Sequence, residues 1–126
     1  MIAPSDELPL VDTSQADEFF SPQGDADSDA MQREIWSDLT ADLIPKLQAT
    51  LANAREADSL RTELHRIRGY CATCALARLA DFLHKWEHLP DPVAATRSLA
   101  PEALALARRS LLQIDLLYPH LNPPTT

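Results

Sequence analysis

Residues 64–87 read LHRIRGYCATCALARLADFLHKWE, and the fold turns on how this stretch is parsed. Leu60, Leu64, Ile67, Cys71 and Cys74 recur at i, i+4, i+7, i+11 and i+14, which is one buried face of a helix running from about Glu56 to Thr73. His65, Arg68, Gly69 and Ala72 recur at i, i+3, i+4 and i+7 on an adjoining face, with Arg61 one turn before the histidine on the same side. Gly69 is the one glycine between residues 31 and 126. A glycine in a helix interior costs roughly 1 kcal/mol relative to alanine, so the spacing points to a need for clearance beside His65. A tight break follows. Leu76, Leu79, Ala80, Leu83 and Trp86 then define the inner face of a second helix over about Ala75–His88.

The flanks supply two more helices. Ile35, Leu39, Leu43, Leu47 and Leu51 form an apolar stripe with Trp36 beside it, on a helix that Ser28 or Asp29 could cap and that Asn53 and Ala54 close. Pro45 predicts a kink or a split near Ile44. Leu89-Pro90-Asp91-Pro92 ends the helix that carries Trp86. A last helix is expected from about Ser98, with Pro101 in its first turn and Leu104, Ala107, Leu111, Ile114 and Leu117 or Tyr118 inward. Pro119 stops it. No segment alternates with period two, so the expected fold class is all-α, an antiparallel four-helix bundle over residues 31–118.

The net charge of −8 is uneven. Residues 1–30 hold eight of the 19 carboxylates and no Lys or Arg, whereas the two signs balance over residues 31–126. Residues 1–30 are therefore expected to be an acidic, mostly disordered tail. Phe19 and Phe20 could still dock a short turn on the bundle, and residues 119–126 are expected to fray. No basic stripe is present to neutralise phosphates, which excludes nucleic acid as the natural partner. No apolar run reaches membrane-spanning length, and no signal peptide is evident. A cytoplasmic monomer with its two cysteines kept as thiols is the expectation.

An outward histidine on a rigid helix, with no serine or cysteine one turn away and no phosphate-cradling glycine loop, is not built for hydrolysis. A phosphoryl group on its imidazole would meet Arg68 through charge-assisted hydrogen bonds. Gly69 and Ala72 would admit a second protein carrying an acyl phosphate. Phosphoryl transfer asks mainly for positioning and charge stabilisation, and this face offers part of both.

At these residues the sequence resembles the histidine-containing phosphotransfer (HPt) domain family. The family motif has His, an apolar residue at +2, a basic residue at +3 and Gly at +4. It continues with small or apolar residues at +9 to +11, Leu at +14 and Glu at +22. Here these are His65, Ile67, Arg68, Gly69, then Cys74, Ala75 and Leu76, then Leu79 and Glu87. The resemblance covers roughly residues 31–118. It implies a four-helix bundle that binds no ATP and shuttles a phosphoryl group between His65 and receiver-domain aspartates in a two-component phosphorelay. The partners it implies are a response-regulator receiver domain and a hybrid histidine kinase. Such a chain is a phosphocarrier without kinase activity of its own, and Mg²⁺ comes with the receiver. Carried across by position, His65 is the phospho-acceptor, Arg68 the phosphate-stabilising cation and Gly69 the clearance for the partner. Arg61, Tyr70 and Ala72 would border the docking surface. The chain departs from the usual Lys at +3, Ser or Ala at +5 and Gly at +10, having Arg68, Tyr70 and Ala75.

Two other readings stay open. One is an HPt-like adaptor that binds a receiver or kinase without accepting phosphate. The other takes Cys71, Cys74, His84 and His88 as a zinc-dependent interaction domain, C-x₂-C-x₉-H-x₃-H. Its central spacer is shorter than the usual ~12 residues, and both cysteines fall on the apolar stripe, where a thiol behaves as a small hydrophobe.

Overall fold

The computed structural model describes residues 7–122, and it is helical throughout with no strand among them. The helices are α1 (Thr13–Phe20), α2 (Ala26–Ala52), α3 (Ala57–Thr73), α4 (Ala77–Glu87) and α5 (Pro92–Leu117), followed by a single 3₁₀ turn at Pro119–Leu121. Helices α2 to α5 form the expected four-helix bundle. Its core is built from Leu39, Leu43 and Leu47 of α2, Leu60, Leu64 and Ile67 of α3, Leu79, Leu83 and Trp86 of α4, and Leu99, Leu106 and Ile114 of α5. The Trp86 indole is fully buried and donates to the Pro92 carbonyl at 2.9 Å, which ties the end of α4 to the start of α5.

Both prolines that were expected to interrupt or begin helices lie inside them. Helix α2 runs unbroken through Pro45, and α5 through Pro101. Each proline orphans the carbonyl four residues back. Pro45 with Ala41, and Pro101 with Arg97, all face solvent, so water takes the free acceptors. Helix α5 accordingly starts at Pro92 and not near Ser98. A proline at the first helical position loses no hydrogen bond, and the Asp91 carboxylate caps it by accepting from the Ala94 N–H at 3.1 Å. Helix α2 likewise starts earlier than expected. Its cap is Asp25, which accepts from the Asp27 N–H and from the Ser28 hydroxyl, and these bonds hold its carboxyl below the usual range. Asp27 and Asp29 in the first turn sit favourably at the positive end of the helix dipole.

The largest correction concerns the acidic N-terminal segment. Its first six residues lie outside the described residues, as do 123–126, but the remainder is ordered onto the bundle. Helix α1, capped by Asp12, lays Ala16 and Phe20 into the core, and Val11 just before the cap is buried beside them, at 0%, 0% and 1% exposure. Phe20 meets Trp36 edge-on at 6.4 Å and Tyr118 at 5.7 Å between ring centroids. The Tyr118 hydroxyl donates to Asp17, and Gln32 donates to the Ser21 carbonyl. These contacts place α1 across the end of the bundle where α2 begins, α3 turns into α4, and α5 finishes. The opposite terminus is tied down in the same way. Leu121 is buried, and the Trp36 indole donates to the Asn122 side chain.

The α3–α4 turn explains one departure from the family pattern. The Leu76 N–H donates back to the Cys71 carbonyl and the Ala75 N–H to that of Ala72, a Schellman-type ending that needs a left-handed residue at position 75. Ala75 adopts φ 69°, alone among described non-glycine residues. Left-handed backbone costs alanine at least about 1 kcal/mol. Its methyl, 1% exposed, recovers a similar ~0.8 kcal/mol by burial. Ala75→Gly should therefore change stability by less than about 0.5 kcal/mol in a denaturant titration. A loss well above 1 kcal/mol would show that packing at this turn outweighs the strain. The turn is also held from outside, since the Asp12 N–H donates to the Ala75 carbonyl at 2.8 Å.

Candidate functional site

Antiparallel packing of α3 on α4 brings the middle of one helix opposite the end of the other, so His65 faces Glu87 across 22 residues of sequence. His65 Nδ1 and Glu87 Oε1 are 2.9 Å apart. The imidazole is well exposed, with 61% of the side chain accessible, whereas the Glu87 side chain is 12% exposed. Arg68, one turn along, places Nη2 at 3.1 Å from the same Nδ1 and Nε at 3.5 Å from Glu87 Oε2. A ring nitrogen has one in-plane position, so it cannot both accept from the guanidinium and donate to the carboxylate. The Glu87 carboxylate is 12% exposed and has no other hydrogen-bond donor among the described residues, whereas the Arg68 guanidinium, 30% exposed, can turn to water. Nδ1–H donating to Glu87 is therefore the tautomer that leaves the fewer buried groups unpaired. The Nε2 lone pair then points away from Glu87 toward solvent. The contact between Arg68 Nε and Glu87 Oε2 is a charge contact too long and misdirected for a hydrogen bond, and neither atom has another partner among the described residues. The guanidinium is thus held near the histidine without being saturated.

Gly69 is exposed on the same side and has ordinary helical backbone, and a Cβ built there would meet nothing within 4 Å. Nothing among the described residues requires a glycine at this position. Ala72 is exposed beyond it and, with Arg68, Ala80, Asp81 and His84, lines a shallow depression beside the histidine. Its carbonyl and that of Thr73 accept from the Gln15 side chain, so α1 forms one border of this face.

Arg61 and Tyr70 lie elsewhere. Arg61 donates to the carbonyls of Glu87, Leu89 and Pro90 at 3.1–3.3 Å and so caps α4. It fixes the backbone that carries Glu87 and is not a free docking cation. Tyr70 leans toward α2 into a groove with Lys46, Ala49 and Ile67, with the Lys46 ammonium 5.5 Å from the ring centroid. Burial, with Cys74 and Asp42 nearby, pushes its phenol up to about 12. The ring does not stand over His65.

Cys71 and Cys74 are buried free thiols. Burial raises both, Cys74 to about 11 and Cys71 further, which opposes the thiolate a metal requires. His84 and His88 are exposed on the outside of α4. The four residues do not form one site, and the zinc-finger reading is discarded. Among the described residues the metal-competent group is instead His84, Glu87 and His88.

The residue missed as a functional group is Glu87. Its place in the motif register was visible, but its direct contact with His65 follows only from how α3 and α4 pack. No helix among the described residues is long and apolar enough to cross a membrane. The family model for the Hpt domain matches residues 26–118. Nothing matches among the curated proteins or among the solved structures.

Proposed function

The chain belongs to the Hpt domain family, whose role is histidine phosphotransfer in two-component signalling, and from that premise we propose that His65 relays a phosphoryl group between receiver-domain aspartates. The observation that carries this reading is the Glu87–His65 hydrogen bond, which directs the free Nε2 lone pair outward from an exposed imidazole. Nε2 attacks the phosphorus of an aspartyl phosphate. An N–P bond forms while the P–O bond to the aspartate carboxylate breaks, and that carboxylate leaves. The ring then carries positive charge with its proton still on Nδ1, and the Glu87 carboxylate beside it stabilises that charge. Arg68 turns its Nη2 from the ring to the phosphoryl oxygens. The reverse sequence discharges the group to a second receiver.

The reading includes a monomeric cytoplasmic carrier with no nucleotide site. It assigns this chain no cofactor, Mg²⁺ arriving with the receiver, and takes the phosphate ultimately from a hybrid histidine kinase. The test is incubation with purified receiver domains from the source organism, each phosphorylated by a small-molecule donor. Acid-labile, alkali-stable phosphate on the peptide containing His65 is the expected result. Binding of a receiver without transfer would overturn the relay in favour of an adaptor, and phosphate on another residue would overturn the site.

Two variants probe the surroundings of the ring. Gly69→Ala should stabilise the isolated protein by about 0.5–1 kcal/mol, because alanine is the better helix former and its methyl has open space. The same change should slow transfer about tenfold, ~1.4 kcal/mol of barrier, by crowding the incoming receiver. Unchanged transfer would remove the reason given for the glycine. Arg68→Ala should forfeit a charge-assisted bond of about 2 kcal/mol, slowing transfer roughly thirtyfold. Its effect on thermal stability should stay within about 1 kcal/mol. Collapse of stability would make the arginine structural.

A further inference from the structure

His84 and Glu87 lie in the last turn of α4 and His88 is its C-cap, at i, i+3 and i+4, the spacing by which imidazoles one turn apart reach a common ion. Their ligand atoms all lie within 4.8 Å of one another, and the two imidazole rings are 4.4 Å apart between centroids. A tetrahedral Zn²⁺ at about 2.1 Å from each ligand would set them about 3.4 Å apart, which rotation of two exposed imidazoles can supply. His88 is already oriented for this. Its Nδ1 lies 2.8 Å from the His84 carbonyl and donates to it, which leaves the Nε2 lone pair for a metal. The nearby Asp81 is engaged with Lys85 at 2.9 Å and is not needed.

We propose that His84, Glu87 and His88 bind a late first-row divalent cation of the Zn²⁺ type, and that the bound ion withdraws Glu87 from His65. Two imidazoles and one carboxylate form a borderline donor set that suits zinc and not Mg²⁺, and water completes the coordination. Glu87 is the shared element. An ion at this carboxylate competes with the Nδ1 hydrogen bond and with Arg68, so the tautomer that presents Nε2 loses its support. The binding half stands on the α4 geometry alone. The consequence for phosphoryl transfer rests on the function proposed above.

The experiment titrates Zn²⁺ into the full chain by calorimetry and follows the His65 ring nitrogens by NMR, for wild type and for the His84→Ala/His88→Ala double variant. Both histidines are exposed, so the variant should fold. Saturable binding by the wild type, roughly tenfold or more weaker in the variant, with His65 resonances that move in the wild type alone, is the expected result. Equal binding by both proteins, or no saturable binding, overturns the site. Binding through the two histidines with His65 resonances unmoved overturns the coupling to Glu87. No receiver enters the titration, so a chain that never accepts phosphate would still give a readable answer.

Discussion

Replacing His65 with Gln abolishes phosphoryl acceptance and leaves the fold standing. The amide nitrogen of glutamine has no basic lone pair to attack phosphorus, so the loss is complete and not graded. The imidazole is 61% exposed and packs into no core cluster, so its removal should move stability by no more than about 0.5 kcal/mol. The glutamine amide can also donate to the Glu87 carboxylate, which avoids leaving that largely buried group without a partner. The check pairs transfer from a phosphorylated receiver with a thermal melt of the same preparation. Acceptance at the wild-type level would remove His65 from the mechanism. A collapsed melt would show that the imidazole holds α3 to α4, and loss of transfer would then say nothing about nucleophilicity.

Phe20→Ala carries the largest expected stability effect. The ring is fully buried between Trp36 and Tyr118, and truncating such a side chain costs about 3–5 kcal/mol through lost burial and the cavity left behind. Against a typical total of about 5–15 kcal/mol, that would lower the melting temperature by about 12–20 °C for a domain of this size. The damage should reach the α3–α4 turn, because α1 holds Ala75 through Asp12 and the end of α3 through Gln15. Hydrogen exchange at residues 72–76 should rise in the variant. A loss below about 1 kcal/mol would mean that α1 contributes little and that the bundle stands without it.

The reach of local pattern can be judged residue by residue. The apolar stripe of α3 and its phase relative to His65, Arg68 and Gly69 are both properties of spacing along one helix. Spacing is preserved whatever the helix packs against, so these were legible in full. The prolines misled in proportion to how much they depend on solvent. Pro45 and Pro101 break helices only if the orphaned carbonyl cannot reach water, and exposure is a property of the packed molecule. The N-terminal acids misled by composition. Asp12 and Asp25 cap helices and Asp17 accepts from Tyr118, uses that local charge density does not reveal.

The sequence by itself determined the all-α bundle, the histidine helix and the outward face on which His65, Arg68 and Gly69 stand, because a 3.6-residue period converts order along the chain directly into direction in space. Only the tertiary structure decided that Glu87 reaches Nδ1, that Arg61 caps α4, that Tyr70 turns to α2, and that an eight-residue helix at the N-terminus is part of the core. An isolated helix that short has too few hydrogen bonds to repay its nucleation. It exists because Phe20 finds Trp36 and Tyr118, residues 16 and 98 positions away that only folding brings within reach.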